Sequence, residues 1–143
     1  MASGVYNNYK VRMLGSGTAV DLDGDTIKLA LLTSSYTPDF DAHDFYDDVS
    51  ANEVAASGSY SAGGATLSVT LTQDNTDDEG VFDATDVSFT TFTGTARYAV
   101  IYKSTGVAAT SPLIALIDFG SDITASGGTF AITFAAEGIV NVN

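Results

Sequence analysis

Asp21, Asp23 and Asp25, in the run Asp21-Leu22-Asp23-Gly24-Asp25, have the alternate spacing that opens an EF-hand calcium loop. The match stops there, because the sixth loop position is Thr26 instead of Gly and the twelfth is Leu32 instead of a bidentate Glu. Three oxygens fall short of the roughly six to eight that calcium takes, so the run reads as an Asp-rich turn entering a strand. Asp74, Asp77, Asp78 and Glu79 form the densest acidic patch. Uncompensated carboxylates this close repel one another, so a solvated hairpin loop is expected there. His43 is the single histidine. With no Gly-x-Ser-x-Gly elbow in the chain, it reads as a surface or capping side chain and not as a general base. Paired carboxylates that hydrolyse glycans usually work beside aromatic sugar platforms, and the chain has no Trp. Neither Gly63-Gly64 nor Gly127-Gly128 is followed by the Lys-Ser/Thr of a phosphate-binding loop. No catalytic, cofactor-binding or metal-ligating residue is therefore assigned, and no cofactor is expected. Arg97 is singled out because it interrupts an otherwise apolar strand, Thr95 to Lys103. Either its stem lies along the sheet and its charge pairs with a neighbouring Asp, or it makes a charge-paired subunit contact.

The elements that would carry these residues are bounded by composition. A chain of 143 residues fits one undivided domain, 1–143. Area scaling gives roughly 7,000 Å² for the folded form, about a third of the unfolded surface, so a core needs no covalent staples. Five Lys+Arg against 18 Asp+Glu leave a net charge of −13, which repels a phosphate backbone. Direct nucleic-acid binding is not expected. At 45% hydrophobic and 16% charged residues the chain is too apolar for an acidic disordered tail. It has no cysteine, which excludes disulfides and thiolate chemistry. The opening residues lack a basic region followed by an apolar one, and no stretch approaches the ~18 apolar residues of a membrane span. Cytoplasmic synthesis without membrane attachment is the expectation.

Period-two alternation marks the strands. Ile27, Leu29 and Leu31 share one face of Thr26 to Thr33; Leu67, Val69 and Leu71 share one face of Ala65 to Thr72. Further strands are expected over Gly80 to Ala84, Asp86 to Thr91, Thr95 to Lys103, Leu113 to Phe119, Thr129 to Phe134 and Gly138 to Val142. Clusters such as Lys103-Ser104-Thr105-Gly106 and Ala125-Ser126-Gly127-Gly128 mark turns between them. The expected fold is all-β, a single-domain antiparallel β-sandwich of jelly-roll type with one or two short helices; the same pattern also fits a closed barrel. Helical spacing occurs at Tyr6, Tyr9, Lys10 and Met13, ending at Gly15, and again over Asp41 to Asp48, where Asp41 would cap and Phe45 would pack inward. Residues 1–14 are accordingly an N-terminal arm or a short helix.

The stretch Asp23-Gly24-Asp25-Thr26-Ile27-Lys28-Leu29-Ala30-Leu31-Leu32-Thr33-Ser34-Ser35-Tyr36-Thr37-Pro38, followed by His43-Asp44-Phe45-Tyr46-Asp47-Asp48-Val49, resembles small structural proteins of tailed-bacteriophage virions. Ala96-Arg97-Tyr98-Ala99-Val100-Ile101-Tyr102-Lys103 and Ser111-Pro112-Leu113-Ile114-Ala115-Leu116-Ile117-Asp118-Phe119-Gly120 are similar to the same group, so the likeness runs from about Val5 to Val142. The resemblance implies a virion protein without an active site, of the capsid decoration (cement) or head-fibre type. Its expected partners are the major capsid protein, whose capsomers it would bridge on the outside of the head, and itself, as a symmetric homo-oligomer (trimer or dimer). Assembly would take place in the host cytoplasm. The alternative is a receptor- or glycan-binding module on a tail fibre or head fibre, using loops such as Asp74 to Gly80 and Ala56 to Gly64. A carbohydrate-active enzyme using two of the acids is a third reading.

Overall fold

A computed structural model describes residues 3–143. Strand makes up 48% of it and helix 10%, in two antiparallel sheets, so the fold is all-β. Its accessible surface is 7074 Å², close to the area expected for a folded chain of this mass. In chain order the elements are β1 (Gly4–Val5), α1 (Asn7–Met13), β2 (Ile27–Leu32), α2 (Asp47–Ser50), β3 (Ala65–Thr66), β4 (Val69–Asp74), β5 (Glu79–Ala84), β6 (Val87–Lys103), β7 (Leu113–Ile132) and β8 (Val140–Val142). One sheet has the order β1-β7-β6-β2-β3 and the other β4-β5-β8.

The spine of the molecule is the pair β6 and β7, 17 and 20 residues long. Sequence alternation suggested two strands in each, and the structure joins them. Strict alternation fails in β6 because apolar residues step by three at Phe89 to Phe92 and again at Ala96 to Ala99, and each step coincides with a bulge. Thr91 takes up the first with a left-handed backbone, φ 54°. At the second, Arg97 faces the extra residues between Asp118 and Ile123 of β7, where Gly120 has φ 82°. A bulge inserts an unpaired residue and resets which face the next side chain takes. Val87, Phe89, Phe92, Ala96, Ala99 and Ile101 thereby all reach one core.

That core lies between the sheets and includes Leu29, Leu31, Tyr60, Leu67, Phe82, Phe130 and Val140. A second core covers the opposite face of the β2 end of β6 and β7, where Tyr98, Val100, Tyr102 and Leu116 pack under Tyr6, Tyr36, Tyr46 and Val49. The sheet is therefore buried on both faces at that end. At the other end, Ser88, Thr90, Thr93 and Thr95 of β6 and Thr124, Ser126 and Ala131 of β7 are exposed.

Several local expectations are revised. Ala65 to Thr72 is broken into β3 and β4, because Leu67 donates its N–H to the Ile27 carbonyl and stays with the first sheet while β4 crosses to the second. Leu71 in consequence is 47% exposed instead of sharing a buried face with Leu67. Residues 1–14 comprise β1, which pairs with Leu116 and Ala115, and then α1; Met1 and Ala2 lie outside the described residues. Helix α1 ends in a Schellman motif in which Gly15, φ 96°, donates to Arg12 O and Ser16 to Val11 O. Tyr9 is buried as its spacing requires, but Met13 is 44% exposed. The second helix falls over Asp47–Ser50, later than expected, and Asp41 does not cap it. Asp48 instead accepts the N–H groups of Asp44 and Phe45, while Asp39 accepts those of Asp41 and Ala42.

Candidate functional site

Arg97 stands on β6 at the second bulge, and its guanidinium grips Asp118 of β7 with both arms: Nε donates to Oδ1 at 2.7 Å and Nη2 to Oδ2 at 3.2 Å. The Asp118 side chain is only 4% exposed. The Arg97 hydrogen bond pushes its carboxyl down to about 2, against the effect of burial and with help from the Gly120 N–H. The guanidinium carbon also lies 5.6 Å from the Tyr98 ring centre. Of the two sequence readings, the pairing with a neighbouring Asp is the arrangement within the chain. It fixes the bulge, because the pair ties Asp118, the last residue of β7 in register before the bulge, to β6 at the point where the ladder is interrupted.

The acidic clusters are occupied differently. Asp21 Oδ1 accepts the N–H groups of Asp23 and Gly24, and Asp25 Oδ2 accepts the N–H of Asp21 and pairs with Lys103 Nζ at 2.8 Å. Burial raises the Asp25 carboxyl, but the Lys103 contact and the Asp21 N–H outweigh it and hold it below the usual range. These carboxylates close their own turn. Asp74, Asp77 and Glu79 bring their oxygens within 4.8 Å of one another at the β4–β5 tip. Asp74 is held low by the Thr76 and Asp77 N–H groups it accepts, and Glu79 accepts from Asn141 at 2.7 Å. His43 faces no serine: its Nδ1 lies 2.8 Å from the Tyr36 hydroxyl, which in turn lies 3.0 Å from that of Tyr6. Burial pushes both phenols up, so this chain of hydroxyls is a neutral buried network.

A further concentration of polar groups around a cavity was not singled out from the sequence. Tyr46 precedes α2 and stacks on Tyr102 of β6, with ring centres 4.1 Å apart and an interplanar angle of 13°. Glu53 follows α2, and its Oε1 accepts from Tyr60 Oη at 2.7 Å and from the Gly63 N–H. Tyr102 Oη donates to Gly63 O at 2.7 Å. Tyr46, Glu53, Gly63 and Tyr102 line, with Lys28 of β2, Ser104 and Ser111, a cleft of about 330 Å³, within the lower range of small-ligand sites, and Tyr60 stands behind Glu53. Burial first, and the Glu53 charge second, push Tyr102 up to about 12; burial first, and then the closeness of Glu53 as hydrogen-bond acceptor and as charge, raise Tyr46. The Tyr46 hydroxyl is buried yet makes no hydrogen bond. The cleft thus offers a carboxylate, an ammonium group and two serine hydroxyls, which suits a hydroxyl-bearing ligand. A signal was present in the sequence, since Glu53 is the lone charged residue between Asp48 and Asp74, but the tyrosines that frame it come from three separate segments.

All seven tyrosines are buried, and among the described residues the large apolar side chains that are exposed are aliphatic or methionine. Among these residues, too, no helix is long and apolar enough to cross a membrane. Comparison with protein-family models, with curated proteins and with solved structures finds no match to this chain. Fold and site together define an all-β protein of two antiparallel sheets, with a small polar cleft framed by Tyr46, Glu53 and Lys28 and a net charge of −13.

Proposed function

We propose that this protein is a bacteriophage virion structural protein, a capsid decoration protein that bridges major capsid protein capsomers on the outside of the head. The sequence resemblance that runs from about Val5 to Val142 carries the proposal. Support comes from the way polar chemistry is used: Arg97, Asp118, Asp25 and Lys103 secure turns and bulges. The exposed face of β6 and β7, in turn, presents small neutral side chains to a broad partner. A decoration protein adds an interface that must break before the lattice opens, so binding stabilises the shell by mass action. The finer assignment of the two sheets to the jelly-roll type, and self-association as a symmetric oligomer, belong to the same proposal. Mixed with mature heads that lack it, the protein should bind at many regular sites per shell and leave isolated tails bare. Appearance only at the tail tip, at a few copies, overturns the reading.

The Tyr46–Glu53–Lys28 cleft favours a second reading, a receptor- or glycan-binding module on a fibre. Two loop residues, Ala62 and Gly63, line it, and its carboxylate and ammonium group match sugar hydroxyls. A glycan array tests this: a bound class lost on Tyr46→Phe and Glu53→Gln supports the module, and an empty array counts against it.

A further inference from the structure

A sheet edge exposes backbone N–H and C=O groups that will pair with any strand able to reach them, so natural edges are kept short, charged or covered. In this molecule β1 and β3 are edges of two residues each and β8 of three. The β4 edge runs into Asp74, Asp77, Asp78 and Glu79, where a second copy would set carboxylate against carboxylate. The outer edge of β6 is covered: Ser59 donates its N–H to Thr90 O at 3.0 Å, and the Ser59 and Ser57 hydroxyls accept the Thr90 and Thr93 N–H groups. The outer edge of β7 is different. Its pairing with β1 involves only Ala115 and Leu116, and among the described residues no strand lies against it further on. From Ile123 to Ala136 it carries neither a charge nor a proline, and all of Ile123 to Thr129 is exposed except Ala125, which is half-buried.

We propose that Ile123 to Ser126 of β7 is a self-association edge, which pairs antiparallel with the same run of a second copy across a two-fold axis. The run is in regular register with Thr93 to Ala96 of β6, so its outward backbone groups are evenly presented; Gly127, φ 67°, ends it. A two-fold pairing uses the same groups on both copies, so no other surface has to be complementary. Charge selects the occupant. Two copies at −13 repel through most of their surfaces, and this is the long edge where they meet without opposing carboxylates. Ile123, 42% exposed, supplies apolar contact across the axis. The geometry specifies a dimer and is independent of whether the partner of that dimer is a capsid or a fibre.

Sedimentation velocity over a concentration series tests the proposal, with three variants that add the same charge in different places. Ile123→Glu and Ser126→Glu should each weaken the dimer at least tenfold, since each adds one negative charge per copy to the shared edge of two chains that already repel. Leu71→Glu, on the exposed β4 strand, should leave it within about twofold. Raising salt from 0.1 to 1 M shortens the Debye length from about 10 to about 3 Å and should strengthen the dimer, because repulsion is what is screened. Circular dichroism confirms folding of each variant, and the exposed Ser126 is the conservative site if Ile123→Glu fails to fold. A monomer at every concentration and salt, equal loss in all three variants, or a larger loss in Leu71→Glu overturns the proposal. So does a chain that is monomeric when free and protects Ile123 to Thr129 from amide exchange only on heads, which gives the edge to the shell. Head binding by a monomer or dimerisation without head binding separates this outcome from the decoration reading.

Discussion

The two halves of the β6–β7 pair use the same ladder for opposite purposes. From Tyr98 to Lys103 and Leu113 to Ile117, the pair is sandwiched between two cores, and Leu113, Leu116, Val100 and Ile101 are at most 1% exposed. From Val87 to Ala96 and Ile123 to Ile132 only one face is buried, and the other is a field of threonine, serine and small residues. The Arg97–Asp118 pair stands at the boundary. The contrast shows that strand pairing and burial are separable. The first half supplies stability, because each fully buried aliphatic side chain is worth about 1.5–3 kcal/mol; the second presents surface at little cost to the core.

Glycine substitutions should expose the contrast most sharply. At Gly64, φ 78°, an added Cβ would lie 1.8 Å from the Leu29 carbonyl oxygen, beside the covered half, whereas at Gly127 it would meet nothing within 4 Å. Gly64→Ala should lose more than about 4 kcal/mol or fail to fold, and Gly127→Ala only about 1–2 kcal/mol from its left-handed backbone. Urea denaturation measures both, and comparable losses would erase the distinction between the halves. Next in size, Leu116→Ala should cost about 3–4 kcal/mol by leaving a cavity between two packed faces, against under about 0.5 kcal/mol for Thr124→Ala on the bare half.

Arg97→Ala tests the boundary and should lower the melting temperature by less than Leu116→Ala does. Its effect has a pH signature. Asp118 titrates at about 2 when folded, below its unfolded value, so the pair stabilises the protein above the unfolded pKa and loses that contribution as pH falls through about 2. The gap between the parent and Arg97→Ala should be constant at neutral pH and close between about pH 4 and pH 2. A gap that persists at the acid end would assign the role of Arg97 to packing on Tyr98. The smallest effect is expected at the exposed hydroxyl pair Thr95–Thr124, 2.8 Å apart: Thr95→Val should shift stability by no more than about 0.5 kcal/mol. A larger loss would mean that the bare face contributes to folding as well as to presentation.

Several features were legible before any coordinates. Alternation placed β2 and β5 to within a residue or so, the helical spacing of Tyr6 and Tyr9 placed α1, and Gly15 marked its end. The expected number of strands, eight, is also the observed number, but the membership differs. Four expected segments merge into β6 and β7, one splits into β3 and β4, and β1 is added. The reason is that a bulge breaks period-two alternation locally in just the way a turn does, so Thr90-Thr91 and Ala96-Arg97 look like strand ends until a partner strand carries the ladder through them.

The candidate sites divide along the same line. Sequence by itself determined the all-β class, the acidic charge balance and the choice of Arg97 as the residue out of place in an apolar strand, because periodicity and charge are local properties of the chain. Only tertiary structure decided that the Arg97 guanidinium lies on Asp118, 21 residues away, and that Tyr46, Glu53 and Lys28 meet in one cleft. It also decided that β7 keeps a long neutral edge after Leu116. Each of these depends on which strands become neighbours and in what register, which follows from the collective burial of two cores and is encoded in no short stretch of residues.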